Sequence, residues 1–379
     1  MNKRTREALG TRRRGDAAAW RKVLSVCLLS LCLCLPVLFL PRVSASPRPR
    51  VYSSFIPHPS SLIPSILPSW RLAQSGTMAW LHAVYFVDAM KGWAVGSNGV
   101  LLKTEDGGKT WQKTARPTED ALNDVYFSDE RTGWIVCERN VYQLRTNDEQ
   151  RTYLMKTEDA GATWKRVNVI GTNVDARLVR AVFAGTSGWA FGEGGVVYMT
   201  RDGGATWARQ RVPTRYLLLG GAFLDDTQGW LVGAGTTILQ TSDGGETWRE
   251  GEVSGTDRVR FNAVSFADRR HGWAVGASGR IFATNDGGRT WNEQISHIAA
   301  DLLDVKFLDS EEGWAVGNEG AVIHTTDGGL HWNVEQSGTT HQLERIFFTD
   351  RDHGWAVGFG GTILSYSTAS QPHAPQLRG

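Results

Sequence analysis

From Trp70 to Ser367 apolar and polar residues alternate with period two in short runs, and the runs come in fours. The first set reads "HAVYFVD" from His82, "GWAVG" from Gly92, "VLLKT" from Val100 and "TWQKTA" from Thr110, with Gly, Asn and Asp gathered between the runs. Short alternating runs bounded by turn formers mark strands with one buried face. Consecutive strands of this kind predict an antiparallel meander.

The set recurs. Gly-Trp stands at 92, 133, 188, 229, 272, 313 and 354, with spacings of 41, 55, 41, 43, 41 and 41 residues. Eleven residues after the tryptophan in most sets comes Thr-x-Asp-x-Gly-x-x-Trp, from "TEDGGKTW" at 104 to "TTDGGLHW" at 325. A four-stranded meander of this size cannot cover both of its faces, so the units must stack. Seven such sheets around an axis predict an all-β protein, a seven-bladed β-propeller of four-stranded antiparallel blades. The seventh set, "GWAVGFGGTILSYSTAS", lacks the box, while "SWRLAQSGT" at 69 reads like "HWNVEQSGT" at 331. The N-terminal strand is therefore predicted to complete the last blade and close the ring, with Trp70 replacing the missing tryptophan.

This architecture explains an unusual composition. Seven Gly-Trp tryptophans and seven fourth-strand tryptophans account for fourteen of the sixteen, leaving Trp20 and Trp80 outside the pattern. The excess predicts packing between blades. The six box aspartates, Asp106, Asp159, Asp202, Asp243, Asp286 and Asp327, are spread around the ring and cannot converge on one substrate. Each is placed to accept backbone N–H bonds across a tight turn whose glycines permit positive φ, which makes the Asp-box structural.

Charge separates the first 45 residues from the rest. They hold nine of the 41 Lys and Arg and two of the 39 Asp and Glu, so the remainder carries 32 basic against 37 acidic residues, a balance of −5. Nothing in that balance favours nucleic acid. The basic start precedes the apolar run Val23 to Leu40 and then Val43-Ser44-Ala45. This is the pattern of a Sec-type export signal cut after Ala45, or of a membrane anchor if uncut. A lipoprotein box fits none of Cys27, Cys32 and Cys34, and Cys137 alone remains beyond them, so no disulfide or metal cluster is expected. The reading along the chain is a signal or anchor at 1–45, a Pro/Ser-rich tether at 46–69, the propeller at 70–368 and a disordered tail at 369–379.

Phosphate-loop, zinc-protease and dinucleotide motifs are missing, "GASGR" at 276 breaks the nucleophile elbow, and the nine histidines show no ligand spacing. No cofactor is expected. The "GWAVG…TxDGGxTW" unit, repeated after an export signal, resembles the photosystem II stability and assembly factor family over residues 70 to 368. The resemblance implies a propeller in or facing the thylakoid lumen that helps assemble reaction-centre precursors without catalysing a reaction.

Candidate binding residues lie on the face away from the boxes, where the loops entering each innermost strand meet the loops between strands two and three. Entry loops of units three to five supply Arg177, Arg180, Arg215, Arg258 and Arg260, and those of units two, six and seven supply Glu119, Asp120, Asp301 and Glu344. In unit two, Thr157 follows Gly133 by 24 residues where Thr104 follows Gly92 by 12, and the added stretch brings Arg139, Arg145 and Arg151 to the same face. The expectation is a monomeric, exported, non-enzymatic scaffold whose arginine sector holds an acidic protein segment during membrane-complex assembly. Membrane contact is expected only through an uncut N-terminal segment. The alternative is a sialidase-like or other glycan-active hydrolase, because sialidases also carry Asp-boxes on propellers; their Arg-Ile-Pro start is missing here.

Overall fold

The computed structural model describes residues 69–140, 142, 150–167, 169, 176–255 and 257–368. The expected signal or anchor, the tether up to residue 68, the tail and Arg145 lie outside the described residues. Seven antiparallel sheets follow one another along the chain. Blade one runs from the innermost strand Leu81–Phe86 through Gly92–Gly96 and Leu101–Thr104 to the outer strand Gln112–Lys113. Blade seven is built from Leu343–Asp350, His353–Gly358 and Ile363–Ser367, and its outer strand is Ser69–Ala73. The closing strand pairs antiparallel with Trp70 opposite Tyr366, and the Trp70 indole N–H donates to Glu335 at 2.7 Å. Closure by the N-terminal strand is thus observed. Blade five adds something the repeat does not announce: Glu252–Val253, in the connection from blade four, pairs in parallel with Thr290–Trp291 and makes a fifth strand.

The repeat residues act together at each seam. Phe86, at the end of the inner strand of blade one, stacks on Trp355 of blade seven with ring centroids 3.5 Å apart and takes the edge of Trp111 from its own blade at 5.8 Å. The same Trp–Phe–Trp arrangement occurs at all seven seams, and at blade seven it is Trp314, Phe348 and Trp70. Buried offset aromatic pairs add to the area they remove from water. The Gly of Gly-Trp has a steric reason, because a Cβ on Gly92 would lie 2.6 Å from the Phe86 ring.

Four seams carry a further bond. The indole N–H groups of Trp189, Trp230, Trp273 and Trp355 donate to Gly244, Gly287, Gly328 and Gly107, each in the box of the next blade, at 2.9 to 3.0 Å. Trp93, Trp134 and Trp314 have buried indole nitrogens without a partner. For Trp314 the reason is plain, since blade seven has no box. Trp93 faces the box in which Ala160 stands where most boxes have their first glycine, held at φ +61°.

Candidate functional site

Each box folds as a closed hydrogen-bond unit. The Thr104 hydroxyl donates to Asp106 at 2.8 Å and accepts from the Gly108 N–H at 2.9 Å, while Asp106 accepts from the Thr110 N–H and hydroxyl at 2.9 and 2.6 Å. The unit repeats at Asp159, Asp202, Asp243 and Asp286, and at Asp327 with His331 in the threonine position. Hydrogen bonds from the Thr163 and Thr206 hydroxyls, then from their N–H groups, pull the Asp159 and Asp202 carboxyls down to about 2. These carboxylates are occupied by their own turns.

The axis of the ring is a different environment. Every innermost strand slips register after its first residues, as between Leu178 and Arg180 or Leu302 and Asp304. This bulge turns neighbouring residues such as Val179 and Arg180 toward the channel together. Two arginines and two aspartates close the waist: Arg180 lies 3.6 Å from Asp304, and Arg345 lies 3.1 Å from Asp124 and 4.0 Å from Asp304. Asp124 and Asp304 also accept the backbone N–H groups of Ala181 and Ile346 on the next blades at 3.3 and 3.0 Å. Arg180 is therefore part of the channel and not of the open face.

Above the waist, away from the boxes, the mouth is a cavity of about 230 Å3 that Trp80, His82, Arg177 and Glu344 help to line. Trp80 packs against Phe359 and donates its indole N–H to Glu344 at 3.2 Å. Its role was signalled in the sequence as the tryptophan past residue 45 that no repeat explains. On the blade two side, Glu138 accepts from Asn123 at 2.7 Å, from Arg151 at 2.8 Å and from Arg177 at 2.9 Å. Burial opposes its charge, but the bonds from Arg177 and Asn123 and the field of Arg151 hold the carboxyl below its ordinary range. The candidate arginines thus divide by partner: Arg177 and Arg151 share Glu138, and Arg260 pairs with Asp301 at 3.0 Å.

Arg215 and Arg258 are exposed and make no ion pair among the described residues. Arg215 shares a groove of about 860 Å3 with Arg209, Arg211 and the Gly194-Gly195 turn. Arg209 and Arg211 are likewise exposed and unpaired among the described residues. They escaped the entry-loop reading because they stand at the end of the preceding outer strand, although "RQRVPTR" from 209 displays the basic cluster. No group of acidic, His or Cys side chains among the described residues could hold a metal ion.

Known proteins share this propeller. The photosystem II assembly lipoprotein Ycf48 of Synechococcus sp. (strain CC9902) is 28% identical over 153 residues, 39% of this chain and 42% of that protein, so the match spans less than half the length of this relative. YCF48 from Cyanidioschyzon merolae superposes with a TM-score of 0.65 at 19% identity, covering 79% of this chain and 99% of that one. A YCF48 bound to a D1 peptide gives 0.64 at 22% identity, covering 80% and 98%. These likenesses establish the propeller fold. The model of the family described as Photosynthesis system II assembly factor YCF48 matches residues 65–153, 114–216, 207–296, 262–332 and 293–367, which together span most of the chain, and the chain belongs to that family.

Proposed function

We propose that the protein is a non-catalytic assembly scaffold that docks an acidic segment of a photosystem II subunit on the face opposite its Asp-boxes. The observation that carries this reading is the run of exposed, unpaired arginines, Arg209, Arg211, Arg215 and Arg258, on neighbouring blades of a protein that is otherwise net acidic beyond residue 45. Unpaired guanidinium groups offer bidentate donors to carboxylates and a local field that steers an acidic partner. Arg177, Arg260 and Arg151 border the same sector with their charges already shared, and Arg145 belongs to the blade two insertion. The family and the D1 peptide held by a solved relative support a protein partner.

Catalysis has no evident foothold in the channel, because Asp124 and Asp304 are each engaged by an arginine and a backbone N–H. The protein acts after export through residues 1–45, as a monomer in the thylakoid lumen or an equivalent compartment. The lipoprotein relative supports a membrane-associated setting. The test is charge reversal: Arg215→Glu with Arg258→Glu should keep the melting temperature and lose salt-sensitive capture of photosystem II subunits from native membranes, read by mass spectrometry. Normal capture by the folded variant would refute the docking sector.

A further inference from the structure

The charged waist divides the channel, and the half on the box side forms its own cavity of about 390 Å3. Its wall is uneven. Tyr85, Tyr126 and Phe347, on blades one, two and seven, form a continuous aromatic arc, with Tyr85 centred 5.1 Å from Tyr126 and 4.9 Å from Phe347. Across from them the same level is lined by the small side chains of Val182, Ala222 and Ser265. Space is therefore left beside a faceted aromatic surface.

Three cations line that space, and of these Arg180 and Arg345 are held in ion pairs at the waist. Lys306 follows Asp304 on the innermost strand of blade six, and its ammonium makes no hydrogen bond or ion pair among the described residues. Burial lowers the Lys306 pKa, and the neighbouring Asp304 carboxylate offsets this only in part, because that carboxylate is already shared among Arg180, Arg345 and the Ile346 N–H. The two waist arginines are matched by Asp124 and Asp304, with Glu344 also close to both, and Lys306 is the cation on the box side without an ion pair among the described residues. The hydroxyls of Tyr85 and Tyr126 also have no hydrogen-bond partner among the described residues. Burial raises the pKa of both phenols, so they remain donors. The ammonium and the two phenols line one cavity and leave their donors open to an acceptor inside it.

We propose that this cavity is a binding site for an aromatic monocarboxylate, with the carboxylate on Lys306 and the ring against the Tyr85–Tyr126–Phe347 arc. A single carboxylate matches the one lining cation that has no ion pair among the described residues. An aromatic ring can lie against one facet of the arc, with the open side opposite it. The site lies on the other face of the disc from the arginine sector and is independent of it.

The test uses 2-naphthoate as probe, titrated calorimetrically into the full chain. Saturable binding to the natural protein is expected, with Lys306→Met weakening it by about tenfold or more through loss of a charge-assisted bond. Arg215→Glu with Arg258→Glu should leave it unchanged, and the neutral 2-naphthalenemethanol should bind more weakly. Should Lys306→Met fail to fold, Tyr126→Phe must weaken the probe by a few-fold. Equal binding by Lys306→Met or by the neutral probe, loss of binding in the arginine variant, an unaffected Tyr126→Phe where that variant is the one tested, or no saturable binding at millimolar probe would overturn the assignment.

Discussion

The two faces of the propeller use charge in opposite ways. On the box face successive blades trade partners: Lys91 meets Glu130, Arg201 meets Glu246 at 2.8 Å, Asp225 meets Arg269 at 2.9 Å and Asp309 meets Arg351. On the opposite face Arg209, Arg211, Arg215 and Arg258 are left over. Exposed ion pairs contribute little stability singly, so the main consequence of the pairing is cancellation of the field. The box face ties successive blades together through these pairs, and the opposite face keeps a cluster of unpaired arginines whose field reaches a partner.

The contrast predicts that framework changes cost stability and leave docking intact, with the largest effect at the closure. Trp70 is 6% exposed, packs edge-on against Phe348 and donates to Glu335. Trp70→Ala should cost about 3 to 5 kcal/mol, measured by denaturant unfolding. An unchanged midpoint would show that blade seven does not depend on its N-terminal strand.

Closure and box were legible in the sequence because they are enforced by local, repeated chemistry. A glycine under a phenylalanine ring or an aspartate across a turn recurs with the blade, so spacing alone exposes it. Arg180 was not legible in this way. A loop reading places it on the open face, whereas the bulge after Leu178 turns it into the channel, where its partner Asp304 is contributed by a strand more than a hundred residues away. Glu138 was hidden for a related reason: it continues the second strand of blade two past Cys137, at the residue after the position where the other blades place a glycine against an entry-loop carbonyl. Partners between blades follow ring geometry, which the repeat period does not spell out.

Glu138 gives the next largest effect and the sharpest form of the contrast. Glu138→Gln removes the charge shared by Arg177 and Arg151 and should cost about 2 kcal/mol, the scale of hydrogen bonds to charged groups. It should also release two arginines toward the docking face and strengthen capture of an acidic peptide at low salt. Weaker capture by the folded variant would mean that Glu138 itself contacts the partner.

Asp243→Ala ranks below it at about 1 kcal/mol, because the turn donors it serves remain open to water. Capture should persist in the folded fraction. Acid probes the boxes together. Their folded carboxyls are depressed, to about 2 at Asp159, Asp202, Asp243 and Asp327, so the stability they contribute is complete above the unfolded value near ~3.9 and is lost as pH falls toward 2. Unfolding midpoints that stay level between pH 5 and about pH 2.5 would contradict this linkage.

The smallest change in stability should accompany the largest change in docking. Arg209 and Arg211 are exposed and without partners among the described residues, so Arg209→Glu with Arg211→Glu should shift stability by no more than about 0.5 kcal/mol. Because both share the groove of Arg215, the reversal should weaken capture of an acidic peptide steeply at low salt and less as salt screens the field. The matched control is Arg269→Glu on the box face, which places like charge beside Asp225. That variant should lose a few tenths of a kcal/mol and retain capture. If capture instead falls with Arg269→Glu and survives Arg209→Glu with Arg211→Glu, the roles of the two faces are reversed, and the leftover arginines are solvated surface.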